Sequence, residues 1–131
     1  MDRSNLHYFG YVFVGFAHLS DKLFSEEEHR KIIELVNEWA VDSNYTNASF
    51  AITMAEIMMW YEEISDFDKK KEMLIQNIEY LADQDWFKPD MKEKFVRHLW
   101  ELAASDGIVE EEKNLIGLMS EKWNVQPLSE L

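Results

Sequence analysis

Apolar residues recur at three- and four-residue steps in six stretches of the chain, the period of helices that pack on one side. The first stretch differs from the others. Leu6, Phe9, Phe13 and Phe16 keep near-heptad spacing while Tyr11, Val12 and Val14 fill the opposite side. A helix from Ser4 or Asn5 to about Leu19 is therefore apolar nearly all round, which predicts a central, buried position. Gly10 and Gly15 interrupt it. Each costs roughly 1 kcal/mol relative to alanine in a helix interior, so a neighbouring helix is expected to pack close against them.

The other stretches are amphipathic. Ser25-Glu26-Glu27-Glu28 reads as a reciprocal capping box with Phe24 as its staple residue. It opens a second helix whose stripe is Ile32, Ile33, Leu35, Val36, Trp39 and Ala40. Asn47 is placed to cap a third, with Phe50, Met54, Ile57, Met58, Tyr61 and Ile64 at core spacing. Ser65 or Asp66 begins a fourth, carrying Met73, Leu74, Ile78, Leu81 and Ala82. Pro89 suits a first helical position and Asp90 the positive helix end, opening a fifth with Met91, Phe95, Leu99, Leu102 and Ala103. Just before it, Phe87 is expected to be buried and Lys88 exposed. The sixth runs from about Glu110 through Leu115, Ile116, Leu118, Met119 and Trp123, and Pro127 ends the pattern. No useful length alternates with period two. The expected fold is all-α, a single domain over residues 1–131 built as a compact bundle of about six helices.

One stretch occurs twice. Ala103-Ala104-Ser105-Asp106-Gly107-Ile108-Val109-Glu110-Glu111-Glu112 ends one helix, turns through Asp-Gly and starts an acid-rich helix. Ala17-His18-Leu19-Ser20-Asp21-Lys22-Leu23-Phe24-Ser25-Glu26-Glu27-Glu28 follows the same plan with one more residue after the Asp. With that slip Glu28 corresponds to Glu112, Ile32 to Ile116, Leu35 to Met119 and Trp39 to Trp123. The pattern predicts a two-fold helix-turn-helix repeat, with halves at about 8–41 and 93–125.

Asp21 and Asp106 fall at carboxyl ends of helices, where the partial negative charge opposes a carboxylate by up to about 1 kcal/mol. Two compensations are available. Each Asp can accept amides at the start of the next helix, from 23–26 for Asp21 and from 108–111 for Asp106, with Gly107 at positive φ and Lys22 ill suited to that conformation. Alternatively, Asp21, Glu28, Asp106 and Glu112 hold a divalent cation. The amide account needs nothing beyond the chain itself; those four acids are the candidate metal ligands.

Composition narrows the partners. The 26 acidic and 13 basic residues give a net charge of −13 spread along the chain, which excludes the clustered cations that nucleic acid requires. A divalent cation or a protein partner remains open. No cysteine is present, so disulfides and thiolate metal sites are excluded. The apolar run from Tyr8 to Leu19 is too short for a membrane span and lacks the flanks of a secretory signal, so a cytoplasmic location is expected. Lys69-Lys70-Lys71, the only basic run, reads as a solvated face. Met54, Met58, Met59 and Met73 read as gap-filling core before an adaptable binding surface.

Catalytic patterns are absent: no phosphate loop, nucleophile elbow or dinucleotide fingerprint occurs. A calcium loop also fails, because aligning Gly107 on its glycine puts Leu102 and Ala104 on ligand positions and Lys113 on the last. His18 with Asp21, and Glu28 or His29 across the turn, is a second metal candidate, weighed against ordinary surface or half-buried residues. A carboxylate enzyme would need one acid kept protonated by burial beside one ionised. A docking scaffold would show an exposed apolar patch around Trp60, Trp86 or Trp100.

The run Ala104-Ser105-Asp106-Gly107-Ile108-Val109-Glu110-Glu111-Glu112 resembles the Ala-x-Asp-Gly-x-Ile/Val-Ser-x-x-Glu signature of the tellurite-resistance TerB-like domains. The likeness is close at this turn and loose over the rest of the chain, through the repeat and the helix count. It implies an all-helical bundle in which the acidic turn occurs twice. It also implies a non-enzymatic, stress-response module that binds metal through its acidic residues. Lys22 stands where the first turn of the family has Gly, and Lys113 where the second has Glu. A cation site here must then use Glu112 or Glu111 instead.

Overall fold

The computed structural model describes residues 4–21, 26–41, 47–106 and 110–125, without the side chains at 19–21, 27, 28, 41, 47, 48, 105 and 106. Six helices occupy them: α1 (Asn5–Asp21), α2 (Glu26–Val41), α3 (Asn47–Glu62), α4 (Phe67–Ala82), α5 (Pro89–Asp106) and α6 (Glu110–Trp123). The expected all-α bundle is the observed fold. The helix limits that the apolar spacing predicts agree with these to within a turn.

The bundle is arranged around α1, which packs against each of the other five helices. Every described side chain from Tyr11 to Ala17 is buried, and Tyr11, Val12, Phe13 and Phe16 have no exposure at all. Large apolar side chains buried this fully contribute about 1.5–3 kcal/mol each, so α1 supplies a disproportionate share of the core. Its two glycines are where the neighbours come closest. A Cβ on Gly10 would lie 3.2 Å from Cγ1 of Ile57 on α3, with Cδ1 closer still. One on Gly15 would lie 3.1 and 3.2 Å from the methyls of Leu74 on α4.

Helix ends follow from local chemistry. His7 Nδ1 accepts from the Ser4 amide at 2.9 Å while the His7 amide donates to the Ser4 carbonyl at 3.0 Å, so the third residue of α1 closes its first turn. Asp66, in extended backbone, caps α4 by accepting from the amides of Asp68 at 2.8 Å and Lys69 at 3.3 Å. Asn124, at φ 55°, ends α6 in a Schellman turn: the Val125 amide reaches Ser120 O at 3.0 Å and the Asn124 amide reaches Glu121 O at 3.3 Å. Asn tolerates this left-handed conformation better than most residues. The capping box of Ser25 and the staple at Phe24 lie outside the described residues, as does the side chain of Asn47.

Phe87 is 2 % exposed and Lys88 is exposed, as the break before Pro89 predicts. Phe87 enters an aromatic cluster centred on Phe95, whose ring lies 4.5 Å from Phe13, 5.2 Å from Phe9, 5.5 Å from Trp39 and 5.6 Å from Trp123. One ring of α5 thus joins α1, α2 and α6. Three expectations are corrected. Ile33 is 36 % exposed, because neighbours in a helix stand about 100° apart and the stripe of Ile32, Val36 and Trp39 leaves it at the edge. Met59 is 65 % exposed and not core, since Met54, Ile57 and Tyr61 claim the inner side of α3. Lys70 leaves the solvated face: its Nζ donates to Tyr61 O at 2.8 Å and lies 3.8 Å above the Tyr61 ring.

Candidate functional site

The candidate acids flank two connections, residues 22–25 between α1 and α2 and residues 107–109 between α5 and α6. Asp21 is the last residue of α1 and Asp106 the last of α5. Glu28 is the third residue of α2, counted from Glu26, and Glu112 the third of α6, counted from Glu110. Continuing the same count, Trp39 and Trp123 hold matching positions in their helices, and both are buried. The helix limits therefore carry the one-residue slip inside the connections.

Glu112 is the member of the set whose side chain is described, and it is buried at 4 % exposure. It heads the inner stripe of α6, four residues before Ile116 and seven before Met119, where the other buried positions are apolar apart from Ser120. A carboxylate withdrawn from water needs hydrogen bonds or opposite charge in return. The positive dipole end of the first turn of α6 favours it there, as it favours Glu110 and Glu111 beside it. The side chains of Asp21, Glu28 and Asp106, the backbone of Gly107 and the capping amides of both turns lie outside the described residues. Among the described residues no group of three or more His, Asp or Glu is placed to hold a metal ion.

Three of the four histidines are committed elsewhere. His18 Nδ1 hydrogen-bonds the Tyr61 hydroxyl, with Phe67 edge-on at 5.8 Å, so one ring nitrogen of this metal candidate is occupied. Burial, and secondarily Tyr11, raises the Tyr61 phenol above its usual range and keeps it protonated. Burial also lowers Lys70, against the opposing pull of Glu62. His18, Tyr61, Phe67 and Lys70 come from three helices, and no spacing in the sequence announces the cluster. His29 is exposed.

A second polar node joins α5 to α2. The Trp39 indole donates to His98 Nδ1 at 3.1 Å, and His98 Nε2 lies 3.1 Å from Glu38 Oε2. Since Nδ1 accepts, the proton sits on Nε2 and is donated to Glu38. Burial lowers the His98 pKa, opposed by Glu38 and Glu101 and reinforced by Lys94 and Arg97. His7 repeats this wiring between α1 and α3, accepting from Ser4 and placing Nε2 2.9 Å from Glu56 Oε1.

The tryptophans named for a docking patch do not form one. Trp60 and Trp100 are 2 % and 6 % exposed, and half-buried Trp86 packs on Phe9 and Phe87. Exposed large apolar side chains are instead Ile33, Ile52, Met59 and Tyr80. A groove of about 270 Å³ lies between α4 and α6, lined by Lys71, Ile75, Glu111, Asn114, Leu115 and Leu118. It presents Glu111 and not Glu112, so it lacks a pair of acids for carboxylate catalysis. No helix among the described residues is long and apolar enough to cross a membrane. No family model, curated protein or solved structure matches the chain.

Proposed function

We propose that the chain is a TerB-like helical module without catalysis of its own, which holds a divalent cation through Asp21, Glu28, Asp106 and Glu112 at its two acidic turns. The observation that carries the reading is the shared register: each Asp closes a helix and each Glu is third in the helix that follows. Hard divalent cations take carboxylate oxygens, and a helix end supplies carbonyl oxygens beside them. The likeness of residues 104–112 to the TerB signature and the helical architecture support the family reading, with the stress association that it implies.

Thermal melting with calcium, magnesium, manganese and zinc in turn tests this. A ligand present at about 100 times its Kd stabilises the folded state by roughly 2.7 kcal/mol, enough to move the midpoint by several degrees. The expected result is a midpoint raised by one of these ions and returned to the metal-free value in Asp106→Asn and Glu112→Gln. A midpoint indifferent to all four ions, with modest stability loss in Asp106→Asn, would establish the acids as helix caps only. A protein-docking role is favoured by a separate observation, the exposure of Ile52 and Met59 on α3.

A further inference from the structure

We infer that the outer face of α3 is a docking surface for a basic amphipathic helix of a partner protein. Ile52 and Met59 are 61 % and 65 % exposed, the highest values among the exposed large apolar side chains of the described residues. Single exposed apolar residues are ordinary; these two share a stripe. They stand seven residues apart on one helix with exposed Ala55 between them, three after Ile52 and four before Met59, and exposed Ala51 alongside. The opposite side of the same helix, through Met54, Ile57 and Tyr61, is already buried in the core. α3 is thus apolar on both sides while covered on one. The exposed positions of α4 and α5 are, by contrast, mostly charged, as at Asp68, Glu72, Glu93 and Arg97.

The stripe is about 10 Å long at 1.5 Å per residue, the reach of two turns of an apposed helix with anchors at i, i+3 or i+4, and i+7. Met59 lends the surface adaptability, since a thioether side chain re-packs easily. Charge identifies the kind of helix. α3 contains no Lys or Arg, and exposed Glu62 and Glu63 lie at its end, in a chain of net charge −13. A second copy docked through the same helix would bring no Lys or Arg of α3 to those carboxylates, whichever way the two helices ran. A helix flanked by Lys or Arg would instead pair with them, gaining both specificity and encounter rate. The site is separate from the acidic turns and its test uses metal-free buffer, so its failure leaves the cation reading untouched.

The probe is a labelled synthetic peptide in which heptad-spaced leucines are flanked by lysines, compared with its glutamate counterpart and with a scrambled peptide of the same composition. Fluorescence anisotropy in EDTA should show saturable binding of the first peptide only, weakening as salt rises. Ile52→Ser/Met59→Ser should weaken it by tenfold or more, while Ile33→Ser leaves it unchanged. Both altered side chains are exposed, so the double variant should melt close to the parent, which circular dichroism checks. The inference is overturned if the scrambled peptide binds as well, if the double variant binds as tightly as the parent, or if no peptide binds. It is also overturned if sedimentation shows a dimer that the double variant dissociates, since the occupant is then a second copy.

Discussion

Alanine at each of the three described helical glycines measures what close packing around α1 costs, because the local gain is common to all three sites. In a helix interior alanine is better than glycine by about 0.8–1.0 kcal/mol. Gly117 is exposed on α6, and a Cβ there meets nothing within 4 Å, so Gly117→Ala should return the full gain. At Gly15 the new Cβ would lie 3.1 and 3.2 Å from the Leu74 methyls, close enough that Leu74 must shift. Leu74 is 1 % exposed and has little room, so the gain and the repacking cost nearly cancel. At Gly10 the obstacle is Ile57, whose Cγ1 would be 3.2 Å away and Cδ1 nearer; its χ1 is stiff and it has no exposure. Overpacking of this kind costs about 1–3 kcal/mol, leaving Gly10→Ala less stable than the parent by up to about 2 kcal/mol after the propensity gain. Urea denaturation followed by far-ultraviolet circular dichroism ranks the variants by midpoint at constant slope. The expected order is Gly117→Ala, Gly15→Ala, Gly10→Ala. Ile57→Val, which removes the obstructing Cδ1, should be less damaging in the Gly10→Ala background than alone. Equal stabilisation by Gly10→Ala and Gly117→Ala would refute the close approach of α3 to α1.

Two further outcomes follow from buried polar groups. The folded pKa of His98 is below its ordinary value near 6.5, so its contribution to stability is complete above pH 6.5 and is lost as pH falls from there through the folded value. Protonating Nδ1 also ends acceptance from Trp39, so His98→Gln should flatten this part of the stability profile, and a His98 nuclear-resonance titration at or above 6.5 would contradict the account. Ser120 Oγ is buried with no hydrogen-bond partner among the described residues. Ser120→Ala should therefore raise stability by about 1 kcal/mol in urea melts, and a loss of that size would mean that the hydroxyl is in fact engaged.

The architecture was legible where one local rule acted without competition. An all-round apolar segment has only one place to go, which is why α1 was readable as central and its glycines as contact points. Asp66, Pro89 and Phe87 were readable for similar reasons, since caps and helix entries depend on a few adjacent residues. On α3 the rule is ambiguous: Ile52 and Met59 form one apolar stripe, Met54, Ile57 and Tyr61 another, and periodicity does not rank them. The deciding factor is which side faces α1, a tertiary fact. The pairings of His98 with Trp39 and of His18 with Tyr61 join residues 59 and 43 apart, beyond any helical spacing. At the acidic turns the helix-end positions were legible, whereas the burial of Glu112 was not. Its place four residues before Ile116 is the available signal, and the general tendency of acids in a first turn to face solvent runs against it.

The position of α1 also limits where function can be. Its faces are taken by five helices, and the space at its middle is filled by Phe9, Phe13 and the rings around Phe95. Interiors packed at this density admit a ligand only by displacing side chains, each worth a few kcal/mol of burial. Binding is then favoured at places where the bundle leaves chemistry uncovered, namely helix ends and outer faces. Helix ends retain amide and carbonyl groups that the helices cannot satisfy internally, and this chain concentrates carboxylates at two of them. The outer face of α3 leaves apolar area in water beside Glu62 and Glu63. The two proposals name opposite kinds of partner, a small hard cation for the carboxylates and a large amphipathic helix for the stripe. Neither needs the core to open, and the α3 stripe can be removed by substituting exposed Ile52 and Met59 while the fold around α1 stays intact.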